Sequence, residues 1–129
     1  MDVELKVLVW SAILGLVQIM LAAGFANRIR GTSWNIGPRD ESIPLTGVAG
    51  RLDRAYRNFL ETFPIFAVAV IAAGVAQKYN GTSAIGAYLY LIGRLVYVPL
   101  YAFGVPLART LAWVVSVIGI VMVLVAFFQ

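Results

Sequence analysis

The stretch LARTLAWVVSVIGIVMVLVAFF, from Leu107 to Phe128, contains a single charged residue, Arg109. About 20 consecutive apolar residues can cross the hydrocarbon core of a bilayer as a helix, so this stretch predicts a membrane-spanning helix. Three more apolar runs precede it, at roughly Leu5–Ala26, Ala55–Ala76 and Ser83–Gly104. Together the four runs predict an all-α integral membrane four-helix bundle that occupies residues 1–129 as one domain.

The composition supports a membrane protein and restricts its chemistry. Of the 129 residues, 61% are hydrophobic and 12% are charged, against about 45–50% and about 25% in soluble domains. Four spans use roughly 80 residues, which leaves no room for a separate soluble catalytic domain. The chain has no Cys and no His, so we expect no metal site, no cysteine nucleophile and no histidine base. Any chemistry must come from Arg, Tyr, Asn, Asp and Glu, or from a ligand.

The charges of the connections predict the orientation in the membrane. The long first connection, about Asn27–Asp53, and the short third connection near Gly104 share one side. The first connection contains four arginines, Arg28, Arg30, Arg39 and Arg51. Because positive connections stay in the cytoplasm, this side is predicted to be cytoplasmic and both termini to lie outside. The N-terminal residues Asp2 and Glu4 are atypical of a cleaved signal peptide, so we expect the first helix to be retained.

The second run contains charged residues at helical spacing. Arg54, Asn58 and Glu61 lie at positions i, i+4 and i+7 and form one stripe, which Arg51 extends by a turn. A charge at membrane depth costs about 2.5–3.5 kcal/mol, so it normally faces a partner or a wet cavity. Two interpretations remain open. Glu61 forms an internal ion pair with Arg54 or Arg57, or the stripe lines a pocket for a zwitterionic or anionic ligand.

The third and fourth runs add a second set of polar residues. Arg94, Tyr97 and Tyr101 also share one stripe, although tyrosines are common in the aromatic belt at a membrane interface. Arg94 lies deeper, and its expected partner is Glu61 or a ligand carboxylate. Arg109 is either an interfacial anchor or a guanidinium in the same pocket, where it could stabilise a thiolate or an oxyanion.

Arginines outnumber carboxylates near the predicted cytoplasmic ends of runs two to four. The arginines are Arg51, Arg54, Arg57, Arg94 and Arg109. Asp53 and Glu61 cannot neutralise five guanidiniums, so an anionic partner is expected, and Glu61 could accept an amine. A polyanionic small molecule with one ammonium, such as glutathione, fits this set. An anionic lipid headgroup fits it too, whereas we expect no nucleic-acid partner.

Two motifs resemble those of a known family. Residues 54–64, RAYRNFLETFP, resemble the second-helix signature R-A-x-x-N-x-x-E-x-x-P of the MAPEG family, the membrane-associated proteins of eicosanoid and glutathione metabolism. Residues 93–101, GRLVYVPLY, are similar to its third-helix pattern G-R-x-x-[YH]-x-x-x-Y. Arg109 is similar to the arginine that opens the fourth helix in that family.

The resemblance implies a bacterial-type inner-membrane protein that forms a homotrimer, with glutathione as co-substrate between adjacent subunits near the cytoplasmic face. Arg109 would be the catalytic residue that stabilises the glutathione thiolate, and Thr110 could assist or simply begin the helix. Arg28 near the end of the first helix is the candidate there, with Arg30 as a weaker one. The residues expected to bind glutathione are Arg28, Arg51, Arg54, Arg57, Asn58, Glu61, Arg94, Tyr97 and Tyr101.

A guanidinium within hydrogen-bond reach of a thiol favours its charged form and lowers its pKa. The resemblance therefore predicts a transferase or peroxidase whose thiolate attacks a lipophilic electrophile or a lipid hydroperoxide. Two alternatives belong to other classes. The first is a non-catalytic membrane protein that binds glutathione or lipid, and the second is a small four-span transporter that uses Glu61 as a proton or cation site.

Overall fold

A computed structural model describes residues 2–129, which form helices with no strand. Four of the helices are long and apolar enough to cross a membrane, which confirms the predicted all-α class and the number of spans. The helices are α1 (Val3–Arg30), α2 (Thr32–Ile36), α3 (Gly47–Val75), α4 (Gly81–Ala102) and α5 (Pro106–Phe127).

The first connection is shorter than the sequence predicted. The expected loop at about residues 27–53 shrinks to residues 31–46, because α1 continues to Arg30 and α3 begins at Gly47. Hydropathy shows where the apolar segment ends. The backbone hydrogen bonds of a helix can continue beyond that point, through residues whose polar side chains are solvated. Gly31, with φ +84°, ends α1 and Gly47 has φ +59°. Both are left-handed conformations that glycine adopts without a steric penalty.

Small residues bring α4 and α5 into close contact. A Cβ atom at Gly86 would lie 2.7 Å from the Gly119 carbonyl oxygen, and one at Gly93 would lie 2.9 Å from the Ala112 carbonyl oxygen. Both separations are too short for a methyl group, so these positions require glycine while the helices stay this close. Small interfacial residues serve this purpose in membrane bundles, where no hydrophobic effect drives helices together. The tight α4–α5 pair forms two of the walls of the cavity described below.

Helix α3 packs against α1, α4 and α5 through one buried stripe. Phe59 and Phe66 lie in this stripe, and the Phe66 ring stacks on Tyr90 of α4 with ring centroids 4.1 Å apart. The Tyr90 hydroxyl lies 3.1 Å from the Thr62 hydroxyl, so the one polar atom of this aromatic pair has a partner. With its buried stripe fixed in this way, α3 turns its charged stripe away from the core.

At the end of the bundle where α1 and α4 begin, a polar contact joins these two helices. The buried carboxylate of Glu4 accepts a hydrogen bond from the Ser83 hydroxyl at 2.6 Å. In the α3–α4 turn, the Tyr79 hydroxyl donates to the Val70 carbonyl at 2.9 Å. Burial, with smaller contributions from the carboxylates of Glu4 and Asp2, raises the pKa of Tyr79 above its usual value.

Candidate functional site

A cavity of about 450 Å³ lies between α3, α4 and α5, at the end of the bundle where the arginines concentrate. Small-molecule sites in proteins usually enclose about 300–1,000 Å³. The lining consists of Arg54, Arg57, Asn58 and Glu61 from α3, Tyr97 and Tyr101 from α4, and Arg109, Thr110 and Trp113 from α5. Most of the polar residues singled out in the sequence therefore meet in one place.

The period of α3 separates its buried residues from its cavity residues. Arg54, Asn58 and Glu61 recur at helical spacing along one face and line the cavity. Phe59 and Phe66 are almost fully buried on another face, against the rest of the bundle. Because the buried aromatic side chains fix the orientation of α3 about its axis, the three polar side chains all face the cavity.

Tyr101 organises two of the arginines. The Arg54 Nε atom donates a hydrogen bond to the Tyr101 hydroxyl at 3.2 Å. The Arg109 Cζ atom lies 4.6 Å from the centroid of the same ring, within range of a cation–π interaction. Tyr97 meets the Tyr101 ring edge-on, with the centroids 5.6 Å apart. One aromatic side chain thus positions guanidiniums that arrive from two different helices.

Arg94 supports the cavity from behind instead of lining it. Its side chain is fully buried, and Nη1 donates to the Asn58 Oδ1 atom at 2.8 Å. The Arg94 Cζ atom also lies 4.2 Å from the centroid of the Tyr97 ring. Its Nε and Nη2 atoms have no hydrogen-bond partner among residues 2–129. The sequence predicted Glu61 or a ligand carboxylate as the partner of Arg94, and in the protomer the partner is Asn58.

The carboxylates pair differently from the ion pair considered in the sequence. Arg57 Nε lies 3.0 Å from Asp53 Oδ2, one helical turn earlier. Within the described residues, no salt bridge joins Glu61 to Arg54 or Arg57. The internal ion pair is therefore not formed in the protomer, and the Glu61 carboxylate remains exposed at the cavity.

Three arginines proposed from the sequence lie outside this cavity. Arg51 Nη1 donates to the Ala102 carbonyl at 3.3 Å, at the end of α4. The Arg28 Cζ atom lies 5.0 Å from the centroid of the Phe25 ring, on the exposed end of α1. Arg30, the weaker candidate, lines two other cavities. These arginines do not line the cavity of the protomer, and their role in binding glutathione remains a prediction.

Trp113 lines the cavity although the sequence analysis did not single it out. The available signal was its position four residues after Arg109, which places both on the same face of α5. Thr110 also lines the cavity, and its hydroxyl donates to the Pro106 carbonyl at 2.9 Å. That bond occupies the proton of the hydroxyl, so the Thr110 oxygen faces the cavity as an acceptor.

The charges at the cavity favour an anionic ligand that also carries one cationic group. Arg54, Arg57 and Arg109 line it together with a single carboxylate, Glu61, and Asp53 offsets Arg57 from outside. Arginine stays charged at any accessible pH, so this excess of positive charge is permanent. An arginine cannot act as a base, but it can stabilise a negative charge that develops on a bound ligand.

The comparisons with known proteins agree with the motifs. The model of the MAPEG family matches residues 7–128, a range that contains the whole cavity. A search of curated proteins finds no match. The family resemblance inferred from residues 54–64 and 93–101 is confirmed.

Proposed function

The chain belongs to the MAPEG family, and we propose that it is a membrane-bound, glutathione-dependent transferase or peroxidase. The observation that carries the proposal is the cavity in which three arginines and one carboxylate surround about 450 Å³. The family includes glutathione transferases and eicosanoid synthases. The second substrate is proposed to be a lipophilic electrophile or a lipid hydroperoxide that reaches the site from the membrane.

The charges of glutathione complement those of the cavity. The tripeptide has two carboxylates and one ammonium, and the cavity offers Arg54 and Arg57 for carboxylates and Glu61 for the ammonium. Guanidinium–carboxylate hydrogen bonds are among the strongest available to proteins. The Asn58 amide, which Arg94 holds through its Oδ1 atom, can donate to a peptide carbonyl of the ligand.

Arg109 is the proposed catalytic residue. Its guanidinium would stabilise the glutathione thiolate and so lower the pKa of the bound thiol, whose proton leaves to water. With an electrophile, the thiolate sulfur forms a bond to carbon while the leaving group departs with its electron pair. With a hydroperoxide, the sulfur attacks oxygen, the O–O bond breaks and an alcohol leaves after protonation. The resulting sulfenic acid then reacts with a second glutathione to give the disulfide and water.

The assembly and the orientation belong to the same proposal. We place the cavity at the cytoplasmic side of a bacterial inner membrane, since the positively charged connection lies at that end of the bundle. We also propose the homotrimer that the family resemblance implies. Arg54 and Glu61 are both exposed in the protomer while lining the cavity. This exposure supports a site that an adjacent subunit covers.

A thermal-shift titration in detergent tests the binding step. Glutathione is expected to raise the melting temperature saturably, and Arg54→Ala or Glu61→Gln should remove that shift. Lys78→Gln is the matched control, because Lys78 lies in the turn between α3 and α4, at the opposite end of the bundle. If glutathione stabilises neither the wild type nor the control, the proposed function is wrong.

Turnover assays then separate the candidate functions. Arg109→Ala should lose turnover and the ultraviolet absorbance of bound thiolate, while much of the glutathione affinity remains. Saturable binding without turnover over several electrophiles and hydroperoxides would instead identify a binding protein. Proton-linked flux that Glu61→Gln abolishes and glutathione does not affect would identify a transporter. The arginines around Glu61 argue against that last outcome, because they repel cations.

A further inference from the structure

Another cavity, of about 570 Å³, lies beside the C-terminal part of α1. It is bounded by the C-terminal part of α1, the connection at residues 31–46 and the beginning of α3. It shares no lining residue with the cavity between α3, α4 and α5. We call it the α1 groove. Its apolar part is lined by Ile19, Ala22 and Ala23, and its polar part by Asn27, Arg30 and Arg39.

The α1 groove crosses the boundary of the predicted membrane span. Helix α1 is uncharged from Ile19 to Ala26, and its next charged residue is Arg28. The rise from Ile19 to Arg30 is about 16 Å along the helix axis. The groove therefore extends from a depth suited to an acyl chain to a level suited to a charged headgroup. An occupant must itself be apolar at one end and anionic at the other.

Contacts within the protomer hold the two arginines at the cationic end of the groove in place without a ligand. Arg30 and Arg39 both face the Trp34 ring, with their Cζ atoms 4.6 Å and 5.5 Å from its centroid. Arg30 Nε donates to the Ile43 carbonyl at 2.8 Å, and Arg39 Nε donates to the Asn35 carbonyl at 3.0 Å. These bonds use only the Nε atoms. Within residues 2–129 the Nη atoms of both arginines have no hydrogen-bond acceptor and neither guanidinium has a salt bridge.

Further contacts hold this arrangement in place. Trp34 Nε1 donates to the Glu41 carbonyl at 2.6 Å, and Asn35 Nδ2 donates to Asn27 Oδ1 at 2.6 Å. Arg39 has a backbone φ of +60°, a left-handed conformation that is uncommon for a residue with a side chain. The one carboxylate that lines the groove, Asp53, is paired with an arginine outside it. Two guanidiniums thus lie against one indole ring, and neither forms a salt bridge.

We propose that the α1 groove binds an acidic phospholipid, with the phosphate between Arg30 and Arg39 and an acyl chain along Ile19–Ala26. Planar guanidiniums bind phosphate oxygens through paired N–H donors, which matches the free Nη atoms. The apolar half of the groove favours a lipid over a free phosphate ion. The proposal does not depend on glutathione binding, and a lipid bound here would hold the loop of residues 31–46 to the membrane surface.

The test compares lipids and variants by thermal shift in an uncharged detergent. Phosphatidylglycerol should stabilise the wild type saturably, whereas phosphatidylcholine and the soluble headgroup glycerol phosphate should not. Arg39→Gln should weaken the apparent affinity for phosphatidylglycerol by about tenfold or more, the usual effect of losing a charge-assisted hydrogen bond. Arg28→Gln is the matched control for lipid binding, because it removes the same charge at the same end of α1 from outside the groove.

A second variant keeps the arginines and fills the apolar half. Ala23→Phe should abolish stabilisation by phosphatidylglycerol, and both variants should keep the glutathione shift, which also shows that they are folded. Equal losses in Arg28→Gln and Arg39→Gln would overturn the proposal in favour of general surface electrostatics. Stabilisation by glycerol phosphate alone would show a free-anion site instead, and equal stabilisation by phosphatidylcholine would rule out recognition of the acidic headgroup.

Discussion

Replacing Arg94 with methionine separates its effect on stability from its effect on ligand binding. The guanidinium is fully buried about 12 Å from the end of α4. It has one hydrogen bond, to Asn58, a ring contact with Tyr97 at 4.2 Å and a more distant one with Phe59 at 5.8 Å. Methionine preserves much of the volume of the side chain and removes the charge.

The opposing contributions to stability nearly cancel. The variant loses a charge-assisted hydrogen bond, about 1.5–3 kcal/mol, and a cation–π contact, about 0.5–2 kcal/mol. It is relieved of a guanidinium at membrane depth, about 2.5–3.5 kcal/mol. Taken at their midpoints the losses and the relief differ by about 0.5 kcal/mol, so we expect the free energy of unfolding of Arg94→Met to stay within about 1 kcal/mol of the wild type.

Binding should change although stability does not. Without Arg94, the Asn58 side chain can rotate, and ordering it again on binding costs about 0.5–1.5 kcal/mol. That penalty weakens the Kd for glutathione by about 2- to 13-fold. Arg94→Lys is the informative companion variant. An ammonium is more strongly hydrated in water than a guanidinium, so it loses more on burial, and it lacks the planar fork of N–H donors. We expect the lysine variant to be less stable than the methionine variant.

Thermal denaturation in detergent and isothermal titration with glutathione measure the two effects. The reasoning is refuted if Arg94→Met loses more than about 3 kcal/mol, or if Arg94→Lys is the more stable of the two variants. Either result would mean that the charge itself is a net source of stability. An unchanged Kd in a folded Arg94→Met variant would show that Arg94 does not position Asn58 for the ligand.

Three further substitutions probe other parts of the protein. Gly93→Ala places a methyl group against the Ala112 carbonyl and should destabilise the protein by about 1–3 kcal/mol, measured by thermal or detergent denaturation. Tyr101→Phe removes the hydroxyl that accepts from Arg54 but keeps the ring beneath the second guanidinium, so the affinity for glutathione in a titration should fall less than in Tyr101→Leu. Tyr79→Phe should cost about 1 kcal/mol through its lost hydrogen bond. Because the pKa of Tyr79 is raised on folding, its contribution is present below the unfolded pKa and is lost as the pH rises through the folded pKa, and melting curves should show a smaller alkaline loss in the variant than in the wild type.

The charged stripes of single helices could be predicted because they depend on the helical period alone. Arg54, Asn58 and Glu61 share a face of α3 wherever that helix packs, and the structure places all three at one cavity. Arg109 and Trp113, four residues apart on α5, follow the same rule and both line the cavity. The ends of the helices were harder to predict from the sequence, because α1 extends past its apolar segment to Arg30.

The amino-acid sequence alone established four membrane-spanning helices, the family, and an excess of arginine at one end, since hydropathy, motif spacing and charge are all local properties. The partners across helices needed the tertiary structure. Asn58 instead of Glu61 faces Arg94, and Arg51 binds the end of α4. These contacts join residues far apart in the chain, and they depend on how α3, α4 and α5 are rotated about their axes. That rotation is set by interlocking contacts such as the close approach at Gly93, which no periodicity within one helix encodes.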